Sequence, residues 1–300
     1  MDLRQLRYFV TVAEELHFGR AAERLGMTQP PLSQSIAALE QELGLRLFER
    51  TKRTVALTSV GAQWLTYVRD LLGRATELPA IAQQLQRGEI GSLTLAFVTT
   101  ADYSLMPQLV SRYTRAYPDV QVLLREATSD VQIEALLRQE IDAGLIIAPE
   151  GAALHATLGY HPLLREALVL AVPEDWVTNG RLGADHVRLT EVIDEPLIIF
   201  PRRSAPAFHD IITGYYTRNG AEPCIVQEAI QTQTIIALVS AGMGVALVPR
   251  SLRNLARAGV RYLDFEGDPP EIETGLVWRK RGATAALERF VELAVGKSRR

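Results

Sequence analysis

Apolar residues recur at helical spacing from the first turn of the chain. Leu3, Leu6, Phe9, Val10, Val12, Ala13 and Leu16 predict an amphipathic helix over residues 2–16. A short helix follows in FGRAAERLG, with Ala21, Ala22 and Leu25 on its inner face and Gly26 as its stop. TQPPLSQSIAALEQELG predicts a third helix. Thr28 is its candidate N-cap, Pro30 sits in its first turn, and Leu32, Ile36, Leu39 and Leu43 form its buried stripe. LRLFERTKRTVALTSVG then buries Leu45, Leu47 and Phe48, turns around residues 51–54, and returns through Val55 and Leu57. That pattern is a two-stranded wing. From Ser59 to Gln86 the apolar positions are Trp64, Val68, Leu71, Ala75, Leu78, Ala82 and Leu85, in steps of four and three. Such a heptad seam on a long helix calls for a partner helix. Pro79 removes one hydrogen bond inside it and predicts a kink near residues 75–78. RGEIGS ends the helix at Gly88 and marks a hinge.

Beyond Gly91 strands and helices alternate. SLTLAFV, VQVLLRE and AGLIIA read as strands, with SLMPQLVSRYTRAYP and SDVQIEALLRQ as helices between them. A second unit runs from REALVLAVP through PLIIFP, a helix around residues 207–219, IVQEA, TIIALVSAG and GVALVP. EIETGLVW and TAALERFVELAVG return to the first unit. The βα rhythm predicts an α/β domain with a mostly parallel sheet, folded as two similar lobes. Ligands in such sheets bind at strand carboxyl ends, against helix N-termini. Four loops at those places carry polar donors: Thr99–Thr100, Thr128–Ser129, Pro201–Ser204 with Arg202, and Gln231–Thr234. Each hydroxyl taken alone is a plain helix cap; together they suggest a cleft for a small anion.

Composition narrows the classes. The 300 residues are 47% hydrophobic and 22% charged, enough for two or three domains and too apolar for a disordered chain. A single cysteine, Cys224, excludes a disulfide framework and a cysteine metal cage. The five histidines are scattered, so no metal site is expected. No HExxH, GxSxG, phosphate-loop or dinucleotide motif occurs, so neither an enzyme nor a cofactor is expected. The chain lacks an 18-residue apolar run and a signal-peptide pattern, which makes a cytoplasmic protein without a membrane partner the expectation.

Charge changes the picture only when counted by region. The net charge is −3, yet residues 43–60 carry Arg46, Arg50, Lys52 and Arg53 against one acid, Glu49. Charge alone leaves this patch a solvated loop or a phosphate contact. Its neighbours favour the second. Helix, short helix, tight turn and helix make a helix-turn-helix pattern, Phe18 to Ala37, whose second helix starts with Gln29, Ser33 and Gln34. Gln pairs bidentately with adenine and Ser pairs with any base. A cationic wing tip beside that helix suits phosphates and the minor groove.

The segment LRQLRYFVTVAEELHFGRAAERLGMTQPPLSQSIAALEQELGLRLFERTKRTVALTSVGAQWL resembles the N-terminal domain of the LysR-type transcriptional regulators, over nearly every position from Leu3 to Gly61. Pro31 stands where many members carry Ala. ALLRQEIDAGLI and LVSAGMGVALVP resemble the family's effector domain, itself similar to periplasmic binding proteins. The double proline Pro30–Pro31 and IIFPRRSAPAFHD are most similar to the branch governing aromatic-compound catabolism through catechol and muconate. The resemblance implies a winged helix-turn-helix over residues 1–58 and a dimerisation helix over 59–88. It implies an effector domain over 91–300, with lobe I at about 91–162 and 268–300 and lobe II at about 163–267. It assigns Gln29, Pro30, Ser33 and Gln34 to the major groove, and Arg50, Thr51 and Arg53 to the backbone and minor groove. Thr99, Thr100, Ser129, Pro201, Arg202 and Phe208 would line the effector site, where Arg202 replaces the small residue often found. Trp64, Val68, Leu71, Leu78 and Leu85 would join two chains. The expected partners are double-stranded promoter DNA, further copies of the chain as a dimer or tetramer, and RNA polymerase. The expected ligand is a small carboxylate, aromatic or muconate-like. A solute-binding protein or an architectural DNA-binding protein is the alternative.

Overall fold

Asp2 opens the first helix, α1 (Leu3–Glu15). Its carboxylate accepts from the Gln5 N–H at 2.7 Å, and the Gln5 side chain accepts from the Asp2 N–H at 3.0 Å. This reciprocal cap satisfies two helix-end donors. In α2 (Phe18–Arg24) the cap is His17, whose Nδ1 accepts from the Gly19 and Arg20 N–H groups. Thr28 stands at the N-cap of α3 (Gln29–Leu43) but its side chain makes no capping bond there. The strands β1 (Phe48–Arg50) and β2 (Val55–Leu57) pair antiparallel as the wing. The long α4 (Ser59–Arg87) runs through Pro79 as a single helix.

The computed structural model describes residues 1–51, 54–147, 154–255 and 257–296. The chain divides into two units, residues 1–83 and 84–300. The first unit is built on Phe9, Phe18, Leu32, Ile36, Leu39, Leu47, Phe48 and Val68. Leu45, expected inside, is 39% exposed. Gly44, in a left-handed conformation at φ 69°, turns the chain so that Leu47 and Phe48 enter the core instead. Gly61 permits the close approach of α4 to the wing, since a Cβ there would lie 2.2 Å from the Leu47 carbonyl oxygen.

The second unit begins with β3 (Gly91–Phe97), the single turn α5 (Thr99–Asp102), α6 (Met106–Ala116), β4 (Val120–Glu126), α7 (Ser129–Leu137) and β5 (Ala143–Ile147). It continues with β6 (Leu158–Pro173), α8 (Glu174–Thr178), β7 (His186–Val187), β8 (Leu197–Ile199), α9 (Pro206–Arg218), β9 (Ile225–Glu228) and α10 (Thr232–Ser240). It closes with β10 (Ala246–Pro249), β11 (Val260–Phe265), β12 (Glu271–Arg279) and α11 (Ala285–Val295). The main sheet has the order β4-β3-β5-β12-β6-β11-β7, with β10 also on β6, and β8 pairs with β9.

The sheet is mixed rather than mostly parallel. Strands β3, β4 and β5 pair in parallel, as do β8 with β9 and β7 with β11. The antiparallel pairs are β12 with β5 and β6, and β6 with β10 and β11. Residues 158–167 of β6 pair with β12, and residues 168–173 pair with β10 and β11, so one strand serves both lobes. The last helix packs back on lobe I. The Tyr113 hydroxyl donates to the Ala286 carbonyl at 2.8 Å, and the Tyr113 and Phe290 rings meet edge-on at 5.3 Å. Among the described residues no helix is long and apolar enough to cross a membrane.

Candidate nucleic-acid interface and ligand cavity

Burial of Leu32, Ile36 and Leu39 fixes the roll of α3 and turns Gln29, Pro30 and Gln34 to solvent, with Ser33 half-buried beside them. The side chains of Gln29, Ser33 and Gln34 make no hydrogen bond to another described residue. Unspent amide and hydroxyl groups at the start of a helix are what base edges require. The wing is held rigidly against this helix. Glu40 Oε1 accepts from the Leu47 and Phe48 N–H groups at 2.8 and 3.0 Å, and Oε2 lies 3.0 Å from Arg50 Nη2. The Arg50 guanidinium also sits 4.6 Å above the Phe18 ring. Arg50 is therefore anchored to its own domain on one side. Thr51 closes the wing turn: its N–H donates to the Thr54 carbonyl at 2.9 Å, and its hydroxyl accepts from the Thr54 N–H at 3.0 Å. Arg53, the remaining wing residue of interest, lies outside the described residues with Lys52.

In the second unit a cavity of about 380 Å³ opens at the carboxyl ends of β3, β4, β5, β8 and β9. Lobe I contributes Thr99, Thr100, Glu126, Thr128, Ser129 and Asp130; lobe II contributes Phe200, Ser204, Ala205, Phe208, Ile230 and Gln231. Thr100 is 4% exposed, and its Oγ1 has no hydrogen-bond partner among the described residues. Ser129 Oγ accepts from the Ile147 N–H at 3.2 Å, which leaves its proton free to be donated. The Thr99 hydroxyl donates to Glu126, and the Thr128 hydroxyl to Asp130. Phe200 and Phe208 meet edge-on at 5.1 Å and form an aromatic wall.

Two residues expected in the cavity do not line it. The Pro201 carbonyl accepts from the Ser204 and Ala205 N–H groups, at 3.0 and 3.1 Å, and so bends the loop that carries Ser204 and Ala205 to the cavity. The Arg202 guanidinium is turned away into a two-point contact with Asp210, at 2.7 and 3.0 Å. That hydrogen bond from Arg202 holds the Asp210 carboxyl below its ordinary pKa. Glu126 and Asp130 were missed. The sequence signal for both was their position, one closing a strand and the other in the first turn of the following helix.

Residues 3–62 match the family described as bacterial regulatory helix-turn-helix proteins, lysR family, and residues 86–299 match the LysR substrate binding domain. The chain belongs to the LysR family. It is 55% identical to the HTH-type transcriptional regulator IlvR of Caulobacter vibrioides over 293 residues, 98% of this chain and 97% of that protein. Its fold matches full-length CbnR complexed with target DNA at a TM-score of 0.76, with 29% identity over 98% of both chains. Full-length BenM matches at a TM-score of 0.59, with 28% identity over 99% of this chain and 96% of that one. This LysR-family chain is thus a DNA-binding transcriptional regulator with an effector-binding domain.

The seam expected along α4 of this LysR-family chain needs correction. Val68 is 3% exposed and Trp64 packs on Phe9 at 4.8 Å between ring centroids, so both belong to the core of the first unit. The large apolar side chains left exposed are Val60, Tyr67, Leu71, Leu78, Ile81 and Leu85. They follow a heptad stripe through positions 67, 71, 78, 81 and 85. Leu71, Leu78 and Leu85 are exposed on this stripe together with Tyr67 and Ile81, whereas Val68 is not.

Proposed function

We propose that the chain is a ligand-responsive, sequence-specific regulator that reads double-stranded promoter DNA with α3 and the wing. The observation that carries this reading is the pairing, in one chain, of an unspent polar helix start with a cavity lined by Thr100, whose buried hydroxyl lacks a partner among the described residues. Two copies joined along the exposed stripe of α4 would grip a two-fold related site. The apolar edges left on β4 (Leu123, Leu124) and β9 (Ile225, Val226) favour a second self-association that makes dimers into a tetramer. Ligand closure of the lobes then alters how the winged helices sit on DNA and how the assembly meets RNA polymerase in the cytoplasm.

The ligand of this reading carries a carboxylate. Its binding groups are the Thr100 and Ser129 hydroxyls and the first-turn N–H groups of α7, which have no backbone acceptor among the described residues. Arg202, committed to Asp210, is not among them, and the muconate-type dicarboxylate loses the guanidinium that favoured it. Arg202→Ala should therefore leave ligand affinity within about two-fold of wild type, since removing a surface ion pair outside a site costs little. Calorimetry that shows a loss of ten-fold or more would return Arg202 to the site.

For the DNA reading, Gln29→Ala and Ser33→Ala should each lose about 1–3 kcal/mol of binding to the preferred duplex if the residue reads a base directly, and little on random duplex. Equal affinity of both variants and wild type for the preferred duplex would remove these residues from the recognition surface.

A further inference from the structure

We infer that the cavity is built for a zwitterion, an α-amino acid with an apolar side chain, rather than for a simple or double carboxylate. The inference rests on the cavity being the ligand site and names the class of molecule it takes. Its first basis is charge. The described lining residues include two carboxylates, Glu126 and Asp130, and no Lys, Arg or His. Neither carboxylate has an ion-pair partner among the described residues. A dianion placed between them would meet like charge without a compensating cation. A ligand ammonium would instead gain a charge-assisted partner.

The second basis is Thr100, which lines the cavity with a buried Oγ1 that has no hydrogen-bond partner among the described residues. A buried hydroxyl left unpaired is costly, and a ligand held as the lobes close would supply the missing partner. Beside it, the Ser129 hydroxyl still has its proton to donate. The nine-residue α7 adds first-turn N–H groups that have no acceptor among the described residues. These are donors for a carboxylate.

Spacing then selects the α-amino acid. β4 ends at Glu126 and α7 begins at Ser129, so one short stretch of chain offers the acceptor for an ammonium and the donors for a carboxylate. A ligand whose two charges sit on a single carbon fits this arrangement. Lobe II lines the cavity mainly with apolar groups, Phe200, Ala205, Phe208 and Ile230, beside the polar Ser204 and Gln231. The apolar groups suit an apolar substituent on that carbon. A volume of about 380 Å³ accommodates such a molecule and lies at the small end of ligand cavities.

The test is calorimetry on the full chain with L-valine, L-isoleucine, L-leucine, L-methionine and L-phenylalanine, their des-amino carboxylic acids, and cis,cis-muconate. At least one amino acid should bind, about ten-fold or more tightly than its des-amino acid. The double variant Glu126→Gln, Asp130→Asn should erase that preference while still binding the des-amino acid. Thr100→Val should weaken both ligands. Equal binding of an amino acid and its des-amino acid by wild type, or an unchanged preference in the double variant, overturns the zwitterion. So does failure of all five amino acids to bind. If a carboxylic acid binds instead and Thr100→Val weakens it, the cavity remains the ligand site and only the ammonium is wrong. If whatever binds is indifferent to Thr100→Val and to Ala205→Trp, which fills the cavity, the ligand-site reading falls as well.

Discussion

Phe9→Ala is expected to cost the DNA-binding unit about 3–5 kcal/mol, the range for truncating a buried aromatic side chain. Phe9 is fully buried, and its ring lies 5.5 Å from Phe48 of the wing and 4.8 Å from Trp64 of α4. One side chain therefore joins the first helix, the wing and the linker helix. Its removal leaves a void that three elements cannot close together, because each is also tied to other partners. A unit of this size has a total stability of the order of 5–15 kcal/mol, so much of it disappears. Calorimetric melting should show the first-unit transition lowered by more than about 10 °C. The second unit has its own core, without Phe9, and its transition should stay in place. A first-unit transition within a few degrees of wild type would mean that the aromatic cluster does not hold the winged helix together.

Leu71→Asp should separate the subunits without unfolding them. Leu71 is 46% exposed in the single chain, so the substitution leaves no internal void and monomer stability should move by less than about 0.5 kcal/mol. In a paired helix the same carboxylate would be buried against Leu78, Ile81 or Leu85 of another copy, which is unfavourable without a cation. Specific DNA affinity should fall by about 100-fold or more, because the second half-site is no longer held at high effective concentration. Light scattering that finds the wild-type mass for Leu71→Asp would sink the stripe as the subunit contact.

The sequence made the winged helix legible because each of its helices buries one stripe and shows one polar face. Leu32, Ile36 and Leu39 alone fix which way Gln29 and Gln34 point. Along α4 the same logic misled by one position. The helix carries two apolar faces, one packed on Phe9 through Trp64 and Val68, and one outward through Tyr67, Leu71 and Ile81. A single periodic reading merged them. In the second unit the strand and helix rhythm was readable, but the first half of β6 was not, since His161 and Pro162 interrupt its apolar pattern. The cavity was half legible. Thr99, Thr100 and Ser129 line it from loops rich in polar donors, and Phe208, which only the family resemblance pointed to, lines it from the first turn of α9. Arg202 does not, because Asp210, eight residues on in α9, captures it, and a pairing from a loop to a helix has no periodic signature.

Footprinting on a duplex selected by the wild-type chain from a random pool separates a sequence-specific regulator from a general DNA binder. The expected result is an enriched sequence with two protected tracts related by a dyad, their centres about one helical turn, roughly 34 Å, or a multiple of it apart. Failure to enrich any sequence, or the same protection on unselected DNA, would contradict a sequence-specific regulator.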